Sequence, residues 1–260
     1  MSDERIIVFS DVHLGHSTCN RAAFAKFVHW LARETPDRVV ILGDLLDFWR
    51  RSNAEVLLEN KEVLRELFGL SCRRICYVPG NHDYAIYDTA TRAQLEREIA
   101  GDLIVAKRLR LQCCDHTYHL THGYDLDVAV TMEYLPLDTY EAFAAAMCRA
   151  DDTLGGVASL LWDAVTIAGG SLNTLRQICT GKHSDKDWGM ISNVAKSGTA
   201  HLLCGAHPRD RIVFGHTHWP FCTLDQRVAN TGSWCTENGI PQHNTYVEIT
   251  QEGMELKNFE

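Results

Sequence analysis

The sequence predicts an α/β fold, with a parallel half followed by a half built from short strands. The first third of the chain contains three short apolar runs without polar alternation, at 6–9, 39–42 and 75–78. Runs of this kind are typical of strands covered on both faces. Helical patterns separate them, and strands that alternate with helices usually pair in parallel. The N-terminal part is therefore predicted to be a βαβαβ unit.

Two amphipathic helices are expected between these strands. The first has apolar residues at the i, i+3, i+4, i+7 spacing and should end before Pro36. The second carries one apolar stripe and should end at Gly69. The residues that mark the two stripes are Phe24, Phe27, Val28 and Leu31, then Leu57, Leu64 and Phe68.

The last third of the chain follows a different pattern. Short runs bounded by turn residues predict strands at 211–214, 221–224, 227–229 and 245–249, with a similar strand earlier at 117–121. This pattern favours a meander with mixed or antiparallel pairing. Residues 124 to about 205 are mostly helical in pattern. We expect one domain over 1–260 with a helical insertion at about 124–205.

A glycine-bracketed apolar segment, 155–170, lies within this insertion. It is too short for a membrane span and carries Asp163. Packing within the chain or on a partner subunit is the favoured interpretation, since amphipathic helices need an apolar face to pack. Binding of acyl chains, and so peripheral contact with lipid, is the alternative. The oligomeric state is left open.

Composition narrows the function classes. A hydrophobic content of 45% supplies a core, and a net charge of -9 disfavours the broad basic surface that nucleic acid requires. The acidic N-terminus followed by only a short apolar run resembles neither a signal peptide nor a membrane span, so a cytoplasmic location is expected. The 10 cysteines form no C-x-x-C pair and are expected to be reduced thiols used as small hydrophobes.

Polar residues follow directly on each predicted strand of the parallel half. In open α/β sheets the carboxyl ends of the strands meet at the ligand-binding edge, so these residues should converge. The first three motifs are S-D-V-H with Asp11 and His13, G-D-L-L-D with Asp44 and Asp47, and G-N-H-D with Asn81, His82 and Asp83. Later strands add T-H-G with His122 and G-H-T-H with His216 and His218.

The side chains in these motifs are imidazoles, carboxylates and one amide, without a thiolate. This set suits Mn, Fe, Zn or Co better than a cysteine-rich structural zinc site. One ion with an open position would not use so many ligands, whereas two ions would. Any one motif could be an ordinary turn or helix cap, but five such groups at strand ends favour a metal centre.

In this order the motifs resemble the signature of the calcineurin-like metallophosphoesterases. The resemblance implies a four-layer α/β/β/α sandwich and two divalent ions, with Mn²⁺ as the first expectation and Fe, Zn or Co as alternatives. It implies that one ion is bound by Asp11, His13 and His218, the other by Asn81, His122 and His216, and that Asp44 bridges them. His82 would contact the substrate phosphate or leaving oxygen, with Asp83 orienting it.

The implied reaction is attack of a metal-bridging hydroxide on the phosphorus of a small phosphorylated substrate. Within the family, the stretches at 10–15, 41–49 and 215–220 look most like the UDP-2,3-diacylglucosamine hydrolases, which cleave a lipid pyrophosphate. That branch usually has arginine in place of His82 and aspartate in place of Tyr124, so the branch resemblance is the weaker one.

Arg50 and Arg51, directly after D-F-W, are expected to contact a second anionic group of the substrate or else to lie in solvent at a helix start.

Two further functions are kept as alternatives. A phosphodiesterase or nuclease would prefer a basic groove, which the net acidity disfavours. A non-catalytic scaffold of the same fold should have lost ligands, yet every motif is intact.

Overall fold

Two β-sheets organise the computed structural model, which describes residues 4–98, 103–132, 135–149, 185–236 and 242–260. The strands are β1 Ile6–Phe9, β2 Arg38–Ile41, β3 Arg74–Tyr77, β4 Leu103–Val105, β5 Leu109–Cys113, β6 His116–Leu120, β7 Arg211–Phe214, β8 Phe221–Cys222, β9 Val228–Asn230, β10 Thr245–Thr250 and β11 Gly253–Asn258. The first sheet has the order β11-β10-β1-β2-β3-β4 and the second β5-β6-β7-β9-β8.

Helices cover both sheets. They are α1 Arg21–Glu34, α2 Asn53–Glu59, α3 Lys61–Phe68, α4 Thr89–Glu98, α5 Tyr124–Thr131, α6 Leu137–Met147, α7 Asp185–Lys196 and α8 Gly198–Leu203, with a short 3-10 helix at Tyr84–Tyr87. Helices α5 to α8 fall in the predicted insertion. The apolar segment 155–170 lies outside the described residues, and the single-domain organisation stays a prediction.

The parallel half is confirmed. β1, β2 and β3 pair in parallel in that order, and β4 extends the sheet beside β3. The second connecting helix, predicted as one stripe, is broken into α2 and α3 at Asn60. Nδ2 of Asn60 donates a hydrogen bond of 2.8 Å to the carbonyl of Val56. This bond takes up a helical acceptor locally, which favours a break.

The predicted mixed or antiparallel pairing of the C-terminal strands is confirmed, but their order is not that of a meander. β10 and β11 leave the second sheet and join the first, with β10 antiparallel to β1. In the second sheet β7 lies between β6 and β9 and is parallel to both. Such pairings join segments far apart in sequence, so the local pattern of turns and strands could not reveal them.

Alternation along the strands produces four layers. Along β1, Ile7 and Phe9 face α1 and α3, whereas Ile6 and Val8 face the second sheet. The outer face of the second sheet packs on α5, α7 and α8. Because successive side chains of a strand point to opposite faces, each sheet is buried on both sides. The predicted four-layer α/β/β/α sandwich is therefore confirmed.

Within the part of the chain that the structure describes, no helix has the length and apolar character that a membrane crossing needs.

Candidate metal centre

The carboxyl ends of β1, β2 and β3 bring the first three motifs together. Backbone hydrogen bonds tie these loops to one another: Asp11 N donates to the Gly43 carbonyl at 3.1 Å, and His13 N to the Asp44 carbonyl at 2.8 Å. Phe48 N donates to the His82 carbonyl at 3.0 Å. The parallel sheet thus continues as bonded loops, and this fixes the positions of their side chains.

Five of the predicted ligands have a left-handed backbone conformation. Asp11, His13, Asp44, His216 and His218 have φ between 51° and 66°. Residues other than glycine seldom adopt this conformation, although Asn, Asp and His do so more often than most. Such strain concentrates at functional sites, where the surrounding structure enforces it. Here it turns each side chain off its strand end and into the centre.

The first group of ligand atoms comes from Asp11, His13 and His218. Nε2 of His13 lies 3.4 Å from Nε2 of His218, and Nε2 of His218 lies 3.3 Å from Oδ1 of Asp11. Donor atoms bound to one ion at about 2.0–2.2 Å are themselves roughly 3–3.5 Å apart. All three residues are buried. The spacing suits a single divalent ion, and we call this place the first position.

The second group comes from Asn81, His122 and His216. Nε2 of His122 lies 3.2 Å from Oδ1 of Asn81 and 3.3 Å from Oδ2 of Asp44. The rings of His122 and His216 are 5.1 Å apart between centroids. Ligand atoms of Asp44, His122 and His216 also fall within 4.8 Å of one another. We call this place the second position.

Asp44 lies between the two positions. Its Oδ2 is 3.7 Å from Nε2 of His13 on one side and 3.3 Å from Nε2 of His122 on the other. Its Oδ1 accepts a hydrogen bond of 2.8 Å from the backbone N–H of His82. One carboxylate oxygen is therefore held by the protein, and the other faces both positions.

Asp11 repeats this division of its carboxylate. Oδ2 accepts a hydrogen bond of 2.9 Å from His216 N and another from the Ser10 hydroxyl. Oδ1 is buried and has no hydrogen-bond partner among the described residues. An unsatisfied buried carboxylate oxygen is costly, and a cation would satisfy it. The residues present therefore fit a bound divalent ion.

Charge in the centre supports the same fit. Burial and the nearby Asp44 carboxylate raise the pKa of Asp83 to about 6. Burial would lower the pKa of His122, but Asp44 and Asp11 outweigh it and raise that pKa to about 9. The buried carboxylates thus favour the charged form of the His122 imidazole. Divalent cations at the two positions would neutralise this negative charge instead.

Gly80 shows how tightly the second position is built. A Cβ at this residue would collide with Oδ1 of Asp44 and Nε2 of His122. The glycine of the G-N-H-D motif is therefore needed for the close approach of the third loop, rather than for an unusual φ.

Two imidazoles of the second position are oriented by acceptors on their other nitrogen. Nδ1 of His122 lies 2.6 Å from the carbonyl of Leu42, which leaves Nε2 as the ligand atom. Nε2 of His216 lies 2.9 Å from Oδ2 of Asp127. Such partners select the tautomer and the ring orientation of a metal-bound histidine. Sequence reasoning missed Asp127, and the only signal for it was a second aspartate in D-L-D after His122.

His82 is oriented by Asp47. Nδ1 of His82 lies 3.3 Å from Oδ1 of Asp47, and the indole of Trp49 stacks on the imidazole with a centroid distance of 4.2 Å. Burial lowers the pKa of His82, but Asp44 and Asp47 outweigh it, so the pKa is raised. Sequence reasoning singled out Asp47 only as a candidate ligand or helix cap and missed this contact.

The Asp83 carboxylate was expected to orient His82. It instead accepts hydrogen bonds that hold the second and third loops together. Oδ2 of Asp83 accepts from Leu45 N at 2.8 Å and from the Tyr77 hydroxyl, and Oδ1 accepts from Gly80 N at 2.7 Å. A carboxylate occupied by these donors is directed at the backbone of the second and third loops. The orienting role falls to Asp47 because its carboxylate is the one facing the His82 ring.

The two arginines after D-F-W, Arg50 and Arg51, have different partners. Arg50 forms an ion pair with Asp47, and its guanidinium nitrogen lies 3.4 Å from Nδ1 of His82. Arg51 is engaged by Glu59 of α2 through bonds of 2.5 and 2.7 Å. Arg51 therefore pairs with a helix carboxylate, whereas Arg50 lies beside the centre.

A sequence model of the calcineurin-like phosphoesterases matches residues 4–220. The chain belongs to this family. It is a metal-dependent phosphoesterase with a candidate site for divalent ions.

The solved structures to which the chain is similar are distant from it in sequence. An archaeal phosphodiesterase is 15% identical, with a TM-score of 0.45 and 98% of this chain and 99% of that chain covered. A dimetal phosphatase from Danio rerio is 12% identical, with a TM-score of 0.44 and 99% of each chain covered. A nuclease from Pseudomonas putida is 13% identical, with a TM-score of 0.42, covering 93% of this chain and 83% of that chain. No curated protein matches the chain.

Proposed function

We propose that this protein hydrolyses a phosphoester or pyrophosphate bond of a small substrate at a centre of two divalent ions. The observation that carries the proposal is the placement of Asp44, with one oxygen held by the His82 backbone and the other 3.7 and 3.3 Å from the two groups of imidazoles. The first position would be held by Asp11, His13 and His218, and the second by Asn81, His122 and His216. When bound, the ions supply Lewis-acid stabilisation of phosphate charge and activation of water.

Residues of the chain would supply the proton for the leaving oxygen. His82 has its Nδ1 beside the Asp47 carboxylate at 3.3 Å, which leaves Nε2 as the proton-donating atom. Burial lowers the pKa of His82, but the Asp44 and Asp47 carboxylates outweigh it and raise that pKa, so they favour the charged form of the imidazole. A general acid is most effective when its pKa lies near the working pH. Asp83 would act indirectly by holding the loop that carries His82.

Arg50 is the candidate for a second anionic group of the substrate. Its guanidinium lies beside His82, and its side chain is 35% exposed, so part of it faces solvent next to the centre. A planar guanidinium can bind two oxygens of a phosphate at once. Contact from Arg51 is not proposed, because Glu59 already binds its guanidinium.

The finer substrate proposal is a UDP-sugar lipid pyrophosphate. It is supported by the stretches at 10–15, 41–49 and 215–220. The Mn²⁺ preference, the cytoplasmic location and lipid contact through the insertion stay predictions.

The test uses metal-stripped protein reloaded with Mn²⁺, Co²⁺ or Zn²⁺ in separate samples, and three substrates in parallel: a p-nitrophenyl monoester, the matching diester and a UDP-sugar. We expect metal-dependent hydrolysis that Asp44→Asn reduces by at least about a thousandfold, because that oxygen faces both positions. Arg51→Gln is the matched control, since it follows Arg50 directly but pairs with α2, and it should keep the activity of the wild type.

The substrate that reacts fastest separates phosphatase, diesterase and pyrophosphatase. Turnover of single-stranded DNA above that of all three small substrates would favour the nuclease alternative. Binding of two ions without hydrolysis of any substrate would favour a non-catalytic scaffold. Failure of the wild type to bind divalent ions would overturn the proposal.

A further inference from the structure

A cysteine outside the five motifs lies against the first position. Cys235 is fully buried, and its Sγ is within 4.8 Å of a ring nitrogen of both His13 and His218. Three potential ligand atoms on three separate segments therefore converge, and one of them is sulfur.

The backbone around Cys235 is held firmly in this place. Trp234 N donates a hydrogen bond of 2.9 Å to the carbonyl of Asp11, which ties the segment to the first ligand loop. Cys235 also pairs with Cys19 in an antiparallel bridge, flanked by bonds from Asn20 N to Trp234 O at 2.8 Å and from Thr236 N to Thr18 O at 3.3 Å. The sulfur position thus follows from the chain path on both sides.

The same position contains the buried Oδ1 of Asp11, which has no hydrogen-bond partner among the described residues. With His13 and His218 this makes a set of two imidazoles, one carboxylate oxygen and one sulfur. Thiolate ligands suit Zn²⁺, Co²⁺ and Fe²⁺, whereas Mn²⁺ prefers oxygen ligands. Among the described residues, the cluster of ligand atoms at the second position contains carboxylate and imidazole groups but no sulfur.

We propose that Cys235 is a ligand of the ion at the first position and that its sulfur selects zinc, cobalt or iron there in place of manganese. The inference rests on the proposed dinuclear centre. It makes the two positions chemically different, with a softer ligand set at the first and a harder one at the second.

Cobalt is the probe, because a thiolate bound to Co²⁺ gives a near-ultraviolet charge-transfer absorption that imidazole and carboxylate do not. Metal-stripped protein is titrated with Co²⁺ in a reductant that contains no thiol, and bound Co²⁺ is counted by equilibrium dialysis. In the wild type we expect two bound Co²⁺ ions, of which only one gives the charge-transfer absorption. In Cys235→Ser this absorption should be lost.

Cys19→Ser is the matched control. Cys19 faces Cys235 across the same bridge, so its replacement perturbs the same strand pair while leaving the proposed ligand intact. The charge-transfer absorption should persist in this variant. X-ray absorption of zinc-loaded wild type adds a measurement that depends on no variant, and it should show a sulfur neighbour at about 2.3 Å.

Two Co²⁺ ions bound without the charge-transfer absorption, together with zinc surrounded only by nitrogen and oxygen, would overturn the role of Cys235 and leave the proposed function standing. Persistence of the absorption in Cys235→Ser would overturn it as well. If the wild type binds no Co²⁺ and no Zn²⁺, the dinuclear centre itself is wrong.

Discussion

Among the ligands predicted from the five motifs, the first sheet contributes both carboxylates, the amide and His13, whereas the second sheet contributes only imidazoles. On the first sheet, the ligand loops are hydrogen-bonded to one another through their backbones, as in the bond of 2.8 Å from His13 N to the Asp44 carbonyl. On the second, His122 and His216 are each oriented through one acceptor, the Leu42 carbonyl and the Asp127 carboxylate.

This difference predicts that fold stability and metal affinity depend on different parts of the centre. The carboxylate ligands depend on loops that belong to the backbone network of the fold, so damage there should cost stability. The imidazole ligands depend on single side-chain contacts, so damage there should cost metal affinity while the fold persists. Substitutions at Asp83, Asp127 and Trp49 test this division.

Asp83→Asn should destabilise the metal-free protein by about 2–4 kcal/mol, because an amide cannot accept from all of the donors that meet this carboxylate. Those donors are the backbone N–H groups of Leu45, Leu46 and Gly80 and the Tyr77 hydroxyl. Urea unfolding measures the effect. Tyr77→Phe removes a single donor and should cost only about 1 kcal/mol. If the free energy of unfolding of Asp83→Asn lay within about 0.5 kcal/mol of the wild-type value, the first-sheet loops would not depend on this carboxylate for stability.

Asp127→Asn should weaken binding of the second ion by roughly 10- to 100-fold while leaving the unfolding free energy within about 1 kcal/mol of wild type. The carboxylate lies 2.9 Å from Nε2 of His216, and the amide lacks its charge. Calorimetric metal titration gives the affinity. Thr131→Val is the control, because it removes a hydroxyl bonded to the same carboxylate but keeps the contact with His216. Unchanged affinity for both ions would show that the imidazoles are held by other means.

Trp49→Phe should cost about 1 kcal/mol of stability and leave metal affinity unchanged. The indole N–H donates a bond of 2.7 Å to the carbonyl of Asn81, whereas the stacking on His82 can be kept by a phenyl ring. Urea unfolding and metal titration together test this. Trp219→Phe, at an indole that is 42% exposed, provides the control and should be neutral. A loss of metal affinity without a loss of stability would contradict the division drawn for the first sheet.

Glu248→Gln, on β10 away from the centre, should give the smallest effect and one that depends on pH. Burial raises the pKa of Glu248, but hydrogen bonds from Lys257 and Arg5 outweigh it and lower that pKa. Because the folded pKa is below the unfolded one, the charged form stabilises the protein above about pH 4.3, and this is lost as pH falls through the folded pKa. Melting temperatures of the two proteins should differ at pH 7 and converge in acid. If the difference in melting temperature were the same at every pH, the charge of Glu248 would not be the cause of the stabilisation.

Much of the fold followed from local pattern. The three apolar runs became β1, β2 and β3 in parallel order, and the polar residues after them lie together at one edge. The pairing of β10 with β1 could not be predicted, because it joins residues about as far apart as the chain allows. The break at Asn60 was missed because the apolar stripe continues through it.

The candidate centre divides in the same way. The polar residues of the five motifs were singled out by residue type and by their place at strand ends, whereas their roles as ligands are implied by the family resemblance and stay predictions. Cys235 and Asp127 carry no comparable spacing signal. They reach the centre from a segment near the C-terminus and from a helix, and only folding brings them within contact distance of His218 and His216.

What the sequence alone determined was therefore the set of donor types and their order along a parallel sheet, because these depend on residues a few positions apart. The tertiary structure decided which oxygen of Asp11 and of Asp44 is available, which nitrogen of His122 faces the centre, and that Asp47 rather than Asp83 contacts the His82 ring. Those choices depend on hydrogen bonds between loops distant in sequence, and such bonds exist only once both sheets have packed.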